Sequence, residues 1–118
     1  PVDRTRIYAS GFSMGGSATW SSLLARPDLF AAAMPISGIA PERARAGELK
    51  HIQMLVLHGD ADTENPIHSD REMVAAILAV GGRQVRMRSY VGLQHMPPGD
   101  LVPGDWWRDW LFAQHRDP

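Results

Sequence analysis

The sequence predicts an α/β fold: about four parallel strands alternating with helices. Three observations predict it. Short apolar runs of strand length alternate with longer stretches of helical character along the whole chain. The run Met54 to Leu57 is continuously apolar, as strands buried on both faces of a parallel sheet are. The segment Gly11-Phe12-Ser13-Met14-Gly15-Gly16 sits between a strand-like run and a helix-like run, where a sharp turn must lie. Alternation of this kind gives a sheet covered by helices on both faces.

The elements follow in order. Arg6 to Ser10 reads as a short buried strand and Met14 to Ala25 as a helix, ended by Arg26-Pro27. Ala31 to Gly38 reads as a second buried strand. Pro35 within it removes a ladder donor, so a bulge or irregularity is expected there. Pro41 to Lys50 is polar and Ala-rich and reads as a short helix, followed by the strand at Met54 to Leu57. Asn65-Pro66 reads as an N-cap with proline at the first helical position. Ile67, Val74, Ile77 and Leu78 then recur at helical spacing until Gly81-Gly82 ends the helix. Val85 to Val91 alternates as a strand with unequal faces near a sheet edge. Gly104 to His115 reads as a last helix with Trp107, Trp110, Leu111 and Trp106 as its apolar stripe.

Composition bounds the function classes. The 118 residues are enough for one small core, 44% hydrophobic and 21% charged. A net charge of −1 gives no electrostatic case for nucleic acid or an anionic membrane as partner. No apolar run approaches the roughly 20 residues that span a bilayer. The absence of cysteine rules out disulfides and thiolate chemistry. Eleven of the twelve basic residues are Arg, which reads as a compositional habit and not as function. The chain begins with Pro1 and no signal peptide is visible, so it is expected to start inside a longer sequence or to be a processed product. Cytoplasmic and exported locations both remain open.

In open α/β sheets functional groups gather beyond the carboxyl ends of the strands. Three of these ends carry candidates. Ser13 follows the first strand within Gly-x-Ser-x-Gly, a pattern that holds a serine oxygen exposed on a strained turn at a helix N-terminus. The strain asks Gly11 and Gly15 to lack bulk. Two acids, Asp60 and Asp62, follow the third strand in His58-Gly59-Asp60-Ala61-Asp62, and His95 follows the fourth. A serine hydroxyl is a poor nucleophile and needs an adjacent base. Histidine, with an ordinary pKa of about 6.5, suits that task, and a carboxylate fixes its tautomer.

The chain order Ser, Asp, His is that of an α/β-hydrolase triad, and at these residues the sequence resembles the α/β-hydrolase superfamily. The resemblance is strongest to dienelactone-hydrolase-like and polyhydroxybutyrate-depolymerase-like serine esterases, with prolyl-oligopeptidase-type peptidases related. It rests on Arg6 to Gly16, Pro27 to Ala33, Pro35-Ile36-Ser37-Gly38, His58 to Asp62 and Trp110 to Gln114. It implies Ser13 as nucleophile, Asp62 as triad acid, His95 as base and the Met14 N–H as one oxyanion donor. It also implies that residues 1–118 are the C-terminal half of the family's catalytic domain, without its first strands and its second oxyanion loop. The implied activity is cleavage of carboxylic esters, small or polymeric, through an acyl-enzyme and without a cofactor or metal. A prolyl-oligopeptidase-type peptidase uses the same residues, and a non-catalytic fragment that pairs with a missing N-terminal half or another chain is the reading from a different class.

The remaining signals are weighed beside these. Asp60 and Asp62 could each simply cap a turn; the resemblance favours Asp62. His58 is expected to brace the acid loop, and His51, His68 and His115 to lie on the surface. The histidines show no metal-ligand spacing. The Trp106, Trp107 and Trp110 cluster reads as packing of the last helix in preference to sugar binding. Glu64-Asn65 and Met96-Pro97-Pro98 depart from the family pattern and bear on loop shape and substrate preference.

Overall fold

Residues 1–117 are described by a computed structural model. Four parallel strands, β1 (Tyr8–Phe12), β2 (Ala32–Ile36), β3 (Gln53–Gly59) and β4 (Val85–Tyr90), form one sheet in the order β1-β2-β3-β4. Between them run α1 (Met14–Ala25), a 3-10 stretch (Arg43–Leu49) and α2 (His68–Ala79); α3 (Trp106–Ala113) follows β4. Four strands alternating with helices in one parallel sheet is the predicted architecture.

Several boundaries differ from the sequence reading, each for a physical reason. β1 lies two residues later than expected and includes Gly11 and Phe12, because its register with β2 runs on to Phe12↔Ile36. Pro35 causes no bulge. The offset between β2 and β3 is the same at Ala33↔Met54 and at Ile36↔Leu57, and only the rungs at Met34 and Pro35 are missing. The ladder skips the absent donor without inserting a residue. Asn65 does not cap α2. That helix begins at His68, because the Asn65 amide instead donates to the Ser37 carbonyl at 2.9 Å. Pro41 to Lys50 contains a 3-10 stretch with non-helical torsions at Arg45.

The two faces of the sheet are built unequally. Alternate residues of β3 point to opposite sides. Met54 and Val56 meet Trp20 and Leu23 of α1 and Met73 and Ile77 of α2 in a fully buried core. Burying each such side chain contributes roughly 1.5–3 kcal/mol. On the other side Leu57 joins Met34 and Ile36, and this smaller cluster is covered by Phe12, Leu101, Trp106 and Trp107. Of the expected stripe on α3 only Leu111 is buried; the three tryptophans are half-buried. Trp106 and Trp107 donate their indole N–H groups to the carbonyls of Asp100 and Leu101 at 3.1 and 2.9 Å, tying α3 to the loop before it.

The chain end returns to the chain start. Tyr8 donates to the Gln114 carbonyl at 2.6 Å, and the Arg116 N–H donates to the Thr5 carbonyl at 2.9 Å. The carboxyl ends of the strands are left to the loops after β1, β3 and β4. No described helix is long and apolar enough to cross a membrane.

Candidate active site

Ser13 stands between β1 and α1 with φ 60° and ψ −116°. A side chain rarely occupies such torsions, which cost on the order of 1–3 kcal/mol. The turn is fixed from both sides. The Ser13 N–H donates to the Ile36 carbonyl at 2.9 Å, and the Ser13 carbonyl accepts from the Ser17 N–H at 3.0 Å. A Cβ on Gly11 would lie 2.5 Å from the Gly15 carbonyl oxygen, so Gly11 must be bare. Gly15 itself is different from the expectation: a Cβ there would meet nothing within 4 Å. The crowded partner in α1 is Gly16, where a Cβ would strike the Ile36 carbonyl and the backbone of Gly38. Gly16 and Gly38 thus let the start of α1 lie directly on the end of β2, a signal present in the sequence but not read from it.

The loop after β3 presents Asp62, whose side chain is wholly buried. Its Oδ1 accepts the N–H groups of Glu64 at 3.0 Å and Asn65 at 2.8 Å. Its Oδ2 lies 2.8 Å from His95 Nδ1. Burial alone would push the Asp62 carboxyl up. The bond with His95 and the two backbone donors outweigh burial and hold it below the ordinary carboxylate value. Asp60 points elsewhere: its Oδ1 accepts the Gly92 N–H at 2.8 Å and so pins the loop after β4.

That loop delivers His95. Its Nε2 lies 2.7 Å from Ser13 Oγ, and its ring stacks on Phe12 with centroids 5.3 Å apart. The structure therefore brings Ser13, His95 and Asp62 into one hydrogen-bonded chain, with the hydroxyl and the carboxylate on opposite ring nitrogens. With Asp62 ionised, Nδ1 must carry the proton, which leaves Nε2 free to accept from the hydroxyl. Met14 is the first residue of α1, and its N–H is one of those a helix start leaves without an intrahelical partner. The Met14 side chain is exposed beside it.

Three residues around this chain were not fully read from the sequence. Glu64 Oε2 stands 3.6 Å from His95 Nε2 on an exposed side chain. Ser37, at the end of β2, has φ 53° and a buried hydroxyl without a partner. Ser13 and Ser37 are the two non-glycine residues with positive φ among those described, and they end adjacent strands. Asp70 of α2 is buried against His58. His51, His68 and His115 are exposed. Among the described residues no group of three or more His, Asp or Glu is arranged to hold a metal ion.

The phospholipase/carboxylesterase family profile matches residues 1–102. The chain superposes on the crystal structure of a thermostable esterase with a TM-score of 0.85 at 33% identity, over 98% of this chain and 32% of that one. Arabidopsis thaliana SOBER1 gives a TM-score of 0.76 at 20% identity, over 93% of this chain and 53% of that one. Zea mays acyl-protein thioesterase 2 gives 0.69 at 23%, over 88% and 54%. The last two likenesses carry the fold alone. The chain spans 32% to 54% of the length of these three structures. No protein of curated function matches its sequence significantly.

Proposed function

The chain belongs to the phospholipase/carboxylesterase family, and on that premise we propose that it carries the catalytic residues of a serine hydrolase that cleaves carboxylic esters. One observation carries the reading: Ser13 Oγ, His95 and Asp62 are linked by contacts of 2.7 and 2.8 Å in the order a proton transfer needs. The thermostable esterase, 33% identical, supports the ester as substrate class.

The steps follow from the residues. Ser13 Oγ attacks the ester carbonyl carbon while His95 Nε2 takes the hydroxyl proton. Asp62 holds the imidazole by Nδ1 and stabilises the imidazolium. Negative charge collects on the former carbonyl oxygen, where the Met14 N–H is one donor at the positive end of α1. The carbon–oxygen bond to the alcohol breaks, and His95 returns its proton to the departing alkoxide. Water then attacks the acyl-Ser13 ester with His95 again as base, and the acid and the free serine are released.

Residues 1–118 act in this reading as part of a larger catalytic domain. Their span of 32% to 54% of the compared structures supports that. So does β1, which has a strand neighbour on one side only among the described residues. A preceding half of the domain, or another chain, pairs there and supplies the second oxyanion donor. The test is hydrolysis of short p-nitrophenyl esters by the intact protein. Ser13→Ala should lower kcat by at least about 10⁴-fold with the fold intact. Undiminished turnover in that variant would refute the assignment.

A further inference from the structure

Behind the Ser13–His95–Asp62 chain lies a second acid–histidine pair. His58, on β3, and Asp70, on α2, are both wholly buried. His58 Nδ1 lies 2.8 Å from Asp70 Oδ2, and Trp20 of α1 donates its indole N–H to Asp70 Oδ1 at 3.1 Å. On its other side His58 Nε2 lies 2.6 Å from the Asn65 carbonyl and 3.5 Å from Asp62 Oδ2. The same Asp62 oxygen is 2.8 Å from His95. One carboxylate oxygen thus stands between two imidazoles.

The proton inventory of this pair is constrained by its partners. A carbonyl can only accept, so His58 Nε2 must carry a hydrogen. Nδ1 and Asp70 then share one further proton. Burial works to lower His58, but its bonds to Asp70 and to the Asn65 carbonyl outweigh burial and raise it. Burial raises Asp70 as well. We infer that His58 and Asp70, anchored by Trp20, are positioning residues for the ester-cleaving site: they hold the Asn65 carbonyl and the Asp62 carboxylate so that Asp62 Oδ2 meets His95 Nδ1. The inference rests on the catalytic reading above.

The geometry supports a role beyond simple packing. The Nε2 bond of His58 goes to the backbone of the loop that carries Asp62, and its Nδ1 bond ties that loop to Asp70 of α2. The N–H groups of that loop, at Glu64 and Asn65, in turn fix Asp62 Oδ1. The groups facing His58 are Asp70 from α2, Asp62 and the Asn65 carbonyl from the loop; Trp20 from α1 reaches it through Asp70. An uncharged core of the same volume would fill this space without aiming a donor at the loop.

The experiment uses Asp70→Asn in the intact protein. The asparagine amide can donate to His58 Nδ1 and accept from Trp20, so both side-chain bonds are kept while the shared proton is lost. At metal sites, residues that orient a ligand from behind change affinity or activity about 10- to 100-fold when mutated, and a positioning pair behind Asp62 is expected to act on the same order. The expected result is a fall in kcat of about tenfold on a short ester with KM within about twofold and near-normal unfolding temperature. Proton NMR adds a signature: the wild type should show a protected low-field His58 Nδ1 proton that disappears in Asp70→Asn. If Asp70→Asn fails to fold, His58→Gln, which keeps a donor for the Asn65 carbonyl, must show the same kcat loss at unchanged KM. Unchanged kcat in the folded variant, with only the unfolding temperature lowered, would overturn the positioning role. Full turnover in Ser13→Ala would instead overturn the reading beneath it, and the two failures are told apart by which variant stays active.

Discussion

His95 with Asp62 and His58 with Asp70 are the same chemical pair in two settings. Each histidine presents Nδ1 to a carboxylate at 2.8 Å. They differ in what the other nitrogen faces. For His95 it is a hydroxyl that can give up a proton, at a site whose ring is 16% exposed. For His58 it is a carbonyl that cannot, in a site sealed from solvent. The pairing with an acid therefore does not make a base. On the proposed reading the partner of Nε2 decides which histidine serves as the base, and the sealed pair positions the loop instead.

The largest effect expected from this contrast is at the acids. Asp62→Asn should lower kcat by about 10⁴-fold, because an amide on Nδ1 no longer selects the tautomer that leaves Nε2 free. Asp60→Asn should cost far less, since Asp60 bonds the Gly92 N–H and not the imidazole. Steady-state kinetics of the two variants decide this, and equal losses would erase the distinction between the two acids.

Stability should show the opposite ranking. His58→Ala leaves the buried Asp70 without its partner and should cost about 3–5 kcal/mol in denaturant unfolding. His95→Ala removes one partner of the buried Asp62 but leaves its two backbone donors, so it should cost less, about 1–3 kcal/mol, while abolishing turnover. A larger stability loss at His95 than at His58 would break the comparison.

A third difference appears with pH. Asp62 is held below its ordinary value in the folded protein. The stability this supplies is fully present above the unfolded value of about 3.9 and is lost as pH falls through the lower folded value. Asp62→Asn should therefore flatten the acid side of the unfolding-temperature profile below about pH 4. An unchanged slope would mean that other carboxylates dominate it. The smallest effect belongs to Glu64. Its carboxylate is 3.6 Å from His95 Nε2 but largely exposed, so Glu64→Gln should change kcat on a neutral ester by about twofold or less.

How much of this could be read from the residues depends on the range of the signal. The elements and their order were legible, because strand and helix periods are local. Ser13, the Asp62 loop and His95 were legible as candidates, because each follows a strand in the chain. The bonds that make Asn65 a loop clamp and not a helix cap were hidden, since its partners Ser37 and His58 are 28 and 7 residues away. Gly16 was visible as a glycine, but the reason it must be bare was not, since its crowding comes from β2 and Gly38, well downstream in the chain. His58 was expected to brace the acid loop, and the carbonyl it bonds lies in that loop. Its partner Asp70 carried no local sign, being one acid in the first turn of a helix.

The central claim is that Ser13 is the nucleophile and His95 its base. Labelling of the intact protein with a fluorophosphonate probe, followed by peptide mass spectrometry, tests it most directly. The account predicts a single modified peptide carrying the adduct on Ser13, lost in Ser13→Ala and strongly slowed in His95→Ala. Labelling at another serine, or full labelling of the Ser13→Ala variant, would contradict it.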